Sequence, residues 1–160
     1  FIYRFCMVLT KALLGGGCFW GIEEYYRNIS GVINTTAGYS GGNIANPSYQ
    51  EVCTNTTGHA EVVLVEFDDK ILSYSEIIDY FWICHDPTQL NMQGYDIGTQ
   101  YRSVIFYYND EQKIIAEKSK EELQKKISAS IATIIKKAKV FFIAEDYHQC
   151  YIQKKTQIAK

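Results

Sequence analysis

Three consecutive glycines, Gly15-Gly16-Gly17, separate an apolar stretch from an amphipathic one, and Cys18 follows them directly. Such a run cannot continue a strand or open a helix on its own, so the chain must turn there. Upstream, residues 10–14 (TKALL) read as a short strand. Downstream, Phe19, Ile22, Tyr26 and Ile29 recur at spacings of three and four, which makes one apolar helix face until Ser30-Gly31 ends it. Cys18 therefore opens a helix at the exit of a strand. A helix N-terminus carries partial positive charge and free N–H groups, and both favour thiolate over thiol. The sequence thus predicts a Cys18 pKa below the free value. The alternative is a small buried cysteine in a tight turn.

Residues 32–38 read as a strand, and GYSGGNIANPSY (38–49) as a glycine-rich loop. AEVVLVEF (60–67) is the clearest strand. Ser73 with Glu76 three residues on forms a capping box, and Tyr74, Ile77, Ile78 and Phe81 give the helix behind it one apolar face. His85 to Arg102 lacks a regular pattern, and a loop of that length in a compact domain carries function. Residues 103–108 read as a strand. Residues 110–127 read as a charged helix with Glu121–Lys125 and Glu122–Lys126 pairs. The segment after 128 shows no clear period. The order strand, helix, strand, strand, helix, strand, helix predicts an α+β two-layer sandwich, with helices on one face of a mixed sheet.

With 160 residues, 47% of them hydrophobic and a formal charge of −2, the chain suits one domain with its own core. The acidic balance argues against nucleic-acid and anionic-membrane binding. No apolar run reaches the ~18–20 residues of a transmembrane helix. FIYRFCMVLTKALL is broken by Arg4 and Lys11 and lacks a clear cleavage site, so no signal peptide is expected. Met7 is a possible natural start, with residues 1–6 a non-native or disordered extension of a single domain over 1–160. The five cysteines (Cys6, Cys18, Cys53, Cys84, Cys150) are odd in number and widely spaced, which suits a reducing, cytoplasmic setting. No metal site is expected from three scattered histidines. The sequons at Asn28, Asn34 and Asn55 read as chance.

Glu61 shares a strand face with Val63, Val65 and Phe67. If that face is buried, desolvation raises its pKa and makes it a general acid near neutrality. If not, it is a strand-end glutamate facing water. Phe19 and Trp20 stand next to the thiol, where they form either an apolar wall or core packing. Tyr39, Tyr49, His59, Asp86, Asp96 and Tyr101 are the polar and aromatic residues of the loops.

Taken together, GGGCFWG (15–21), GYSGG (38–42), NPSYQEVC (46–53), TGHAEVV (57–63), HDPTQLNMQGYDIGTQYRS (85–103) and AEDYHQCY (144–151) resemble the A-type peptide methionine-(S)-sulfoxide reductase family. The likeness runs from about residue 11 to 154. It implies a ferredoxin-like α+β plait and a monomer that reduces methionine (S)-sulfoxide, free or in oxidised proteins. It implies Cys18 as nucleophile, with Phe19 and Trp20 around the S-methyl group. It implies Glu61 as the acid, Tyr49 and Tyr101 as donors to the sulfoxide oxygen, and Asp96 as a substrate-positioning group. No bound cofactor is implied; thioredoxin or a small thiol is the external reductant.

Many members carry recycling cysteines in a glycine-rich tail, which this sequence lacks after its last helix. Cys150 is therefore the candidate resolving cysteine, and Cys53 and Cys84 are expected to be buried. Two other functions compete: a cysteine hydrolase or acyltransferase pairing Cys18 with His59 or His148, and a non-catalytic peptide-binding module built on the tyrosine-rich loops.

Overall fold

The computed structural model describes residues 9–158; the expectations for residues 1–6, Cys6 and Met7 lie outside them. The chain runs through β1 (Leu9–Gly15), α1 (Phe19–Arg27), β2 (Val32–Ser40), α2 (Tyr49–Cys53), β3 (Ala60–Asp68) and α3 (Tyr74–Cys84). A short hairpin of β4 (Met92–Gln93) and β5 (Asp96–Ile97) follows, then a 3-10 turn at Thr99–Tyr101 and β6 (Val104–Tyr107). The chain continues through α4 (Asp110–Lys126), β7 (Ile134–Lys137), β8 (Phe142–Ile143), a 3-10 turn at Asp146–His148 and α5 (Tyr151–Ile158).

The main sheet has the order β7-β6-β1-β3-β2-β8. Only β6 and β7 pair in parallel, so the sheet is mixed, as the element order predicts. Strands β1 and β3 are central and pair with Leu14 opposite Val63. One sheet face carries Leu14, Val63, Val65 and Phe67, packed against Ile22 and Tyr26 of α1 and Ile77, Ile78 and Phe81 of α3. Each of these large side chains contributes about 1.5–3 kcal/mol by leaving water. The helix starts are fixed chemically: Ser73 and Glu76 form the expected capping box on α3, and Asn109 caps α4 by accepting the Gln112 N–H.

Three features depart from the sequence reading. The loop expected from 38 to 49 ends in a five-residue helix, α2, capped by a Ser48–Glu51 box. The unpatterned stretch 85–102 holds the β4–β5 hairpin and the 3-10 turn. The unreadable segment after 128 supplies the parallel edge strand β7 and the edge strand β8, and its residues Ala138 and Phe141 pack on the second sheet face. Two- and four-residue strands are too short to show a period.

Candidate active site

Gly17 adopts φ +98°, and a Cβ there would lie 2.8 Å from the Gln93 side chain. A Cβ on Gly15 would lie 2.9 Å from the Glu61 carbonyl oxygen. The glycines thus let the β1–α1 turn press against β3 on one side and the β4–β5 hairpin on the other. Cys18 is the N-cap of α1, and its carbonyl accepts the Gly21 N–H at 3.2 Å.

Glu61 faces the helix side of the sheet and is 1% exposed, so it is not a strand-end glutamate facing water. Its Oε1 accepts the Phe19 N–H (3.2 Å) and its Oε2 accepts a Gln100 side-chain N–H (3.0 Å). The acid is therefore tied to the first amide of the helix that begins after Cys18. Burial raises its pKa to about 7, against the pull of these two donors, and the nearby Asp96 charge adds to the rise.

The Cys18 expectation is overturned. Burial raises the thiol to about 11, and the charges of Glu61 and Asp96 push the same way, against the amides of Trp20 and Gly21. Helix-end charge is worth ~2 kcal/mol at most. Here desolvation and two carboxylates outweigh it. Near pH 7 the resting site holds a neutral thiol beside an acid at its half-titration point.

Aromatic residues surround this pair. Phe19 is buried in the core, its ring 5.7 Å from Tyr39 and 5.0 Å from His148. Trp20 is half-buried, stacks on Tyr151 (3.7 Å, 9° between planes) and donates its indole N–H to His148 Nδ1 at 2.9 Å. Tyr49 opens α2; its N–H donates to Glu145 at 3.0 Å and its ring lies 4.5 Å from His148. Tyr101 follows Gln100 on the 3-10 turn. Burial and the charges of Glu61, Asp96, Cys53 and Cys18 raise its hydroxyl to about 12. Burial also raises Tyr49, so both phenols stay hydrogen-bond donors at neutral pH. Asp96 is exposed on β5, yet its charge reaches both Cys18 and Glu61.

Other expected residues lie elsewhere. Cys150 donates its backbone N–H to Glu23 (2.7 Å), and its thiol is 4.0 Å from the same carboxylate. Glu23 is five residues along α1 from Cys18, hence about 7.5 Å along the axis and about 140° around it. The two thiols are not brought together. Cys150→Ser is accordingly expected to recycle as well as the wild type with either dithiothreitol or thioredoxin. Steady-state turnover with each reductant checks this, and selective loss with thioredoxin would mean that residue 150 travels to the site.

Of the two cysteines expected to be buried, Cys53 is exposed and Cys84 is half-buried. Tyr39 is buried and donates its hydroxyl to Glu145 (3.0 Å), and Asp86 accepts from Thr88. Both His59 nitrogens are engaged, by the Gly42 N–H and the Ile44 carbonyl. Among the described residues no histidine is hydrogen-bonded to Cys18, so the base that a cysteine hydrolase needs is not in place. Two residues that the sequence reading passed over join the site: Gln100, 3% exposed, bonded to Glu61 and 3.5 Å from the Cys53 sulfur, and Glu145, which holds Tyr49; His148, read from the sequence only as a base for a hydrolase, joins them by holding Trp20. Their only sequence signal is that they lie inside the GTQYRS and AEDYHQ blocks.

Residues 10–160 match the family model described as peptide methionine sulfoxide reductase. The chain belongs to this family. Among its relatives is the peptide methionine sulfoxide reductase MsrA of Saccharolobus solfataricus, 53% identical over 146 residues, which span 91% of this chain and 82% of that protein. Among solved structures, reduced Mxr1 from Saccharomyces cerevisiae superposes with a TM-score of 0.88 at 39% identity, covering 93% of this chain and 87% of that one. Mxr1 has also been solved in complex with Trx2; that structure shares 28% identity and a TM-score of 0.63, over 89% of this chain and 84% of that one. Family membership makes the chain an oxidoreductase of the methionine sulfoxide reductase type.

Proposed function

We propose that this protein reduces methionine (S)-sulfoxide, free or in oxidised proteins, to methionine. The carrying observation is that Glu61, buried and poised near neutrality, bonds the first helical amide after Cys18. The Cys18 sulfur attacks the sulfoxide sulfur as thiolate, while Glu61 protonates the oxygen. Tyr49 and Tyr101 donate hydrogen bonds to that oxygen as negative charge builds on it. The hydroxyl then passes to Cys18 as the sulfur–oxygen bond of the substrate breaks. The sulfur–sulfur bond breaks with its electron pair going to the methionine sulfur, methionine leaves, and Cys18 becomes a sulfenic acid. The proton released by the Cys18 thiol restores Glu61. Phe19 and Trp20 hold the S-methyl group, and Asp96 positions the substrate.

The sulfenic acid condenses with a thiol, losing water, and a second thiol releases Cys18. The complex of yeast Mxr1 with Trx2 supports thioredoxin as that reductant; a small thiol serves in its absence. No bound cofactor enters these steps. The protein acts as a monomer in a reducing, cytoplasmic compartment, with its one catalytic domain spanning the chain. Among the described residues no helix is long and apolar enough to cross a membrane.

The test is reduction of the separated epimers of methionine sulfoxide with dithiothreitol. Turnover of the S epimer alone is expected. Turnover of the R epimer alone, or of neither, overturns the reading.

A further inference from the structure

We propose that His148 is a positioning residue of the site: by accepting the Trp20 indole N–H on Nδ1, it fixes the plane of the indole that flanks Cys18. The proposal rests on the reading of Trp20 as the methyl-pocket wall. An indole nitrogen can only donate. His148 Nδ1 must therefore carry a lone pair, and the proton of the neutral ring sits on Nε2. That nitrogen is buried and has no hydrogen-bond partner, while the whole side chain is 0% exposed. An orphan N–H is costly to bury. A ring kept in this arrangement is kept for what its other nitrogen does.

The surroundings agree. His148 packs against Phe19 and Tyr49 as well as Trp20. Tyr151, three residues on, covers one face of the indole. On the same turn, Glu145 accepts the Tyr49 N–H and the Tyr39 hydroxyl. One short segment thus holds the methyl side of the pocket through His148 and the oxygen side through Glu145. The titratable groups around His148 are Glu145 and Tyr147 on its own turn, Tyr49 from α2, and Tyr39 of β2 behind Glu145. Burial lowers the His148 pKa, against the Glu145 charge, so the ring is neutral at pH 7 and the bond is intact there.

The protein has two tryptophans, and the second is an internal control: Trp82 donates its indole N–H to Ser119, which does not titrate (2.8 Å). The experiment follows both indole N–H signals in the nitrogen-15 spectrum. In wild type, acidification is expected to move the Trp20 signal, as His148 gains a proton on Nδ1, and to leave Trp82 in place. In His148→Phe the Trp20 signal shifts at neutral pH, KM for methionine sulfoxide rises about tenfold, and kcat stays within about twofold. His148→Asn, whose Oδ1 stands near the position of Nδ1, restores both.

An unmoved Trp20 signal and KM in His148→Phe would overturn the proposal. So would equal damage in the Phe and Asn variants with Trp82 unmoved. If His148→Phe does not fold, the wild-type titration and the Asn variant decide. If wild type reduces no sulfoxide, the proposed function falls, while the indole signals still judge the bond.

Discussion

Cys18→Ser is expected to lower reduction of methionine (S)-sulfoxide by roughly ten-thousandfold. A serine hydroxyl is a poor nucleophile near pH 7 unless a base takes its proton, and among the described residues no histidine is bonded to position 18. The decisive measurement is a single turnover without reductant. Wild type should release one methionine per protein and hold one added oxygen, trapped by a sulfenic-acid reagent at Cys18. The variant should do neither. Undiminished turnover in Cys18→Ser would move the nucleophile elsewhere, with Cys53, the exposed thiol near Gln100, as the first place to look.

Glu61→Gln should slow the chemical step by about a hundredfold to a thousandfold. A Glu61 pKa of about 7 means that the wild-type rate falls as pH rises through that value. The variant lacks this limb, and a single-turnover profile that keeps it would assign the acid to another group.

The same substitution should stabilise the fold. The folded carboxyl keeps its proton up to about pH 7, whereas the unfolded chain releases it near 4.5. Across that window the folded state binds more protons, so stability falls as pH rises. At 1.36 kcal/mol per pKa unit, the loss reaches about 3 kcal/mol above neutrality. Glutamine has no proton to lose. Urea unfolding should therefore find the variant more stable near pH 8, with the difference vanishing near pH 4. An advantage that does not change with pH would contradict the burial argument.

The legible parts of the chain were those with a period or a fixed chemical signal. Residues 60–67, the capping box at Ser73–Glu76 and the apolar face of Phe19, Ile22 and Tyr26 all formed as read. Helix α2 was hidden because five residues show less than two turns of pattern. Strands β7 and β8 were hidden for the same reason, and their places depend on partners distant in sequence.

In the site, Cys18 and Glu61 were legible from the turn and the strand face. Gln100 was not, since a glutamine in a polar loop looks alike whether it meets water or a buried carboxylate. Nor could Cys18 reveal its own proton affinity. The helix start is local and visible, whereas the burial and the charges of Glu61 and Asp96 that outweigh it come from other elements.

The distances in sequence between these partners bear on how the thiol fares before the fold is complete. Phe19 meets Glu61 across 42 residues, Glu61 meets Gln100 across 39, and Trp20 meets His148 across 128. Pairings this remote form slowly, because the intervening chain must be ordered first. Until they form, Cys18 is an ordinary cysteine with a pKa near 9; once they form, its pKa is about 11. At neutral pH that change lowers the thiolate fraction about a hundredfold, and with it the rate at which stray oxidants attack the sulfur. On the role proposed for Cys18, the sulfur is more open to oxidants before these contacts form than after, because burial in the finished site disfavours the thiolate.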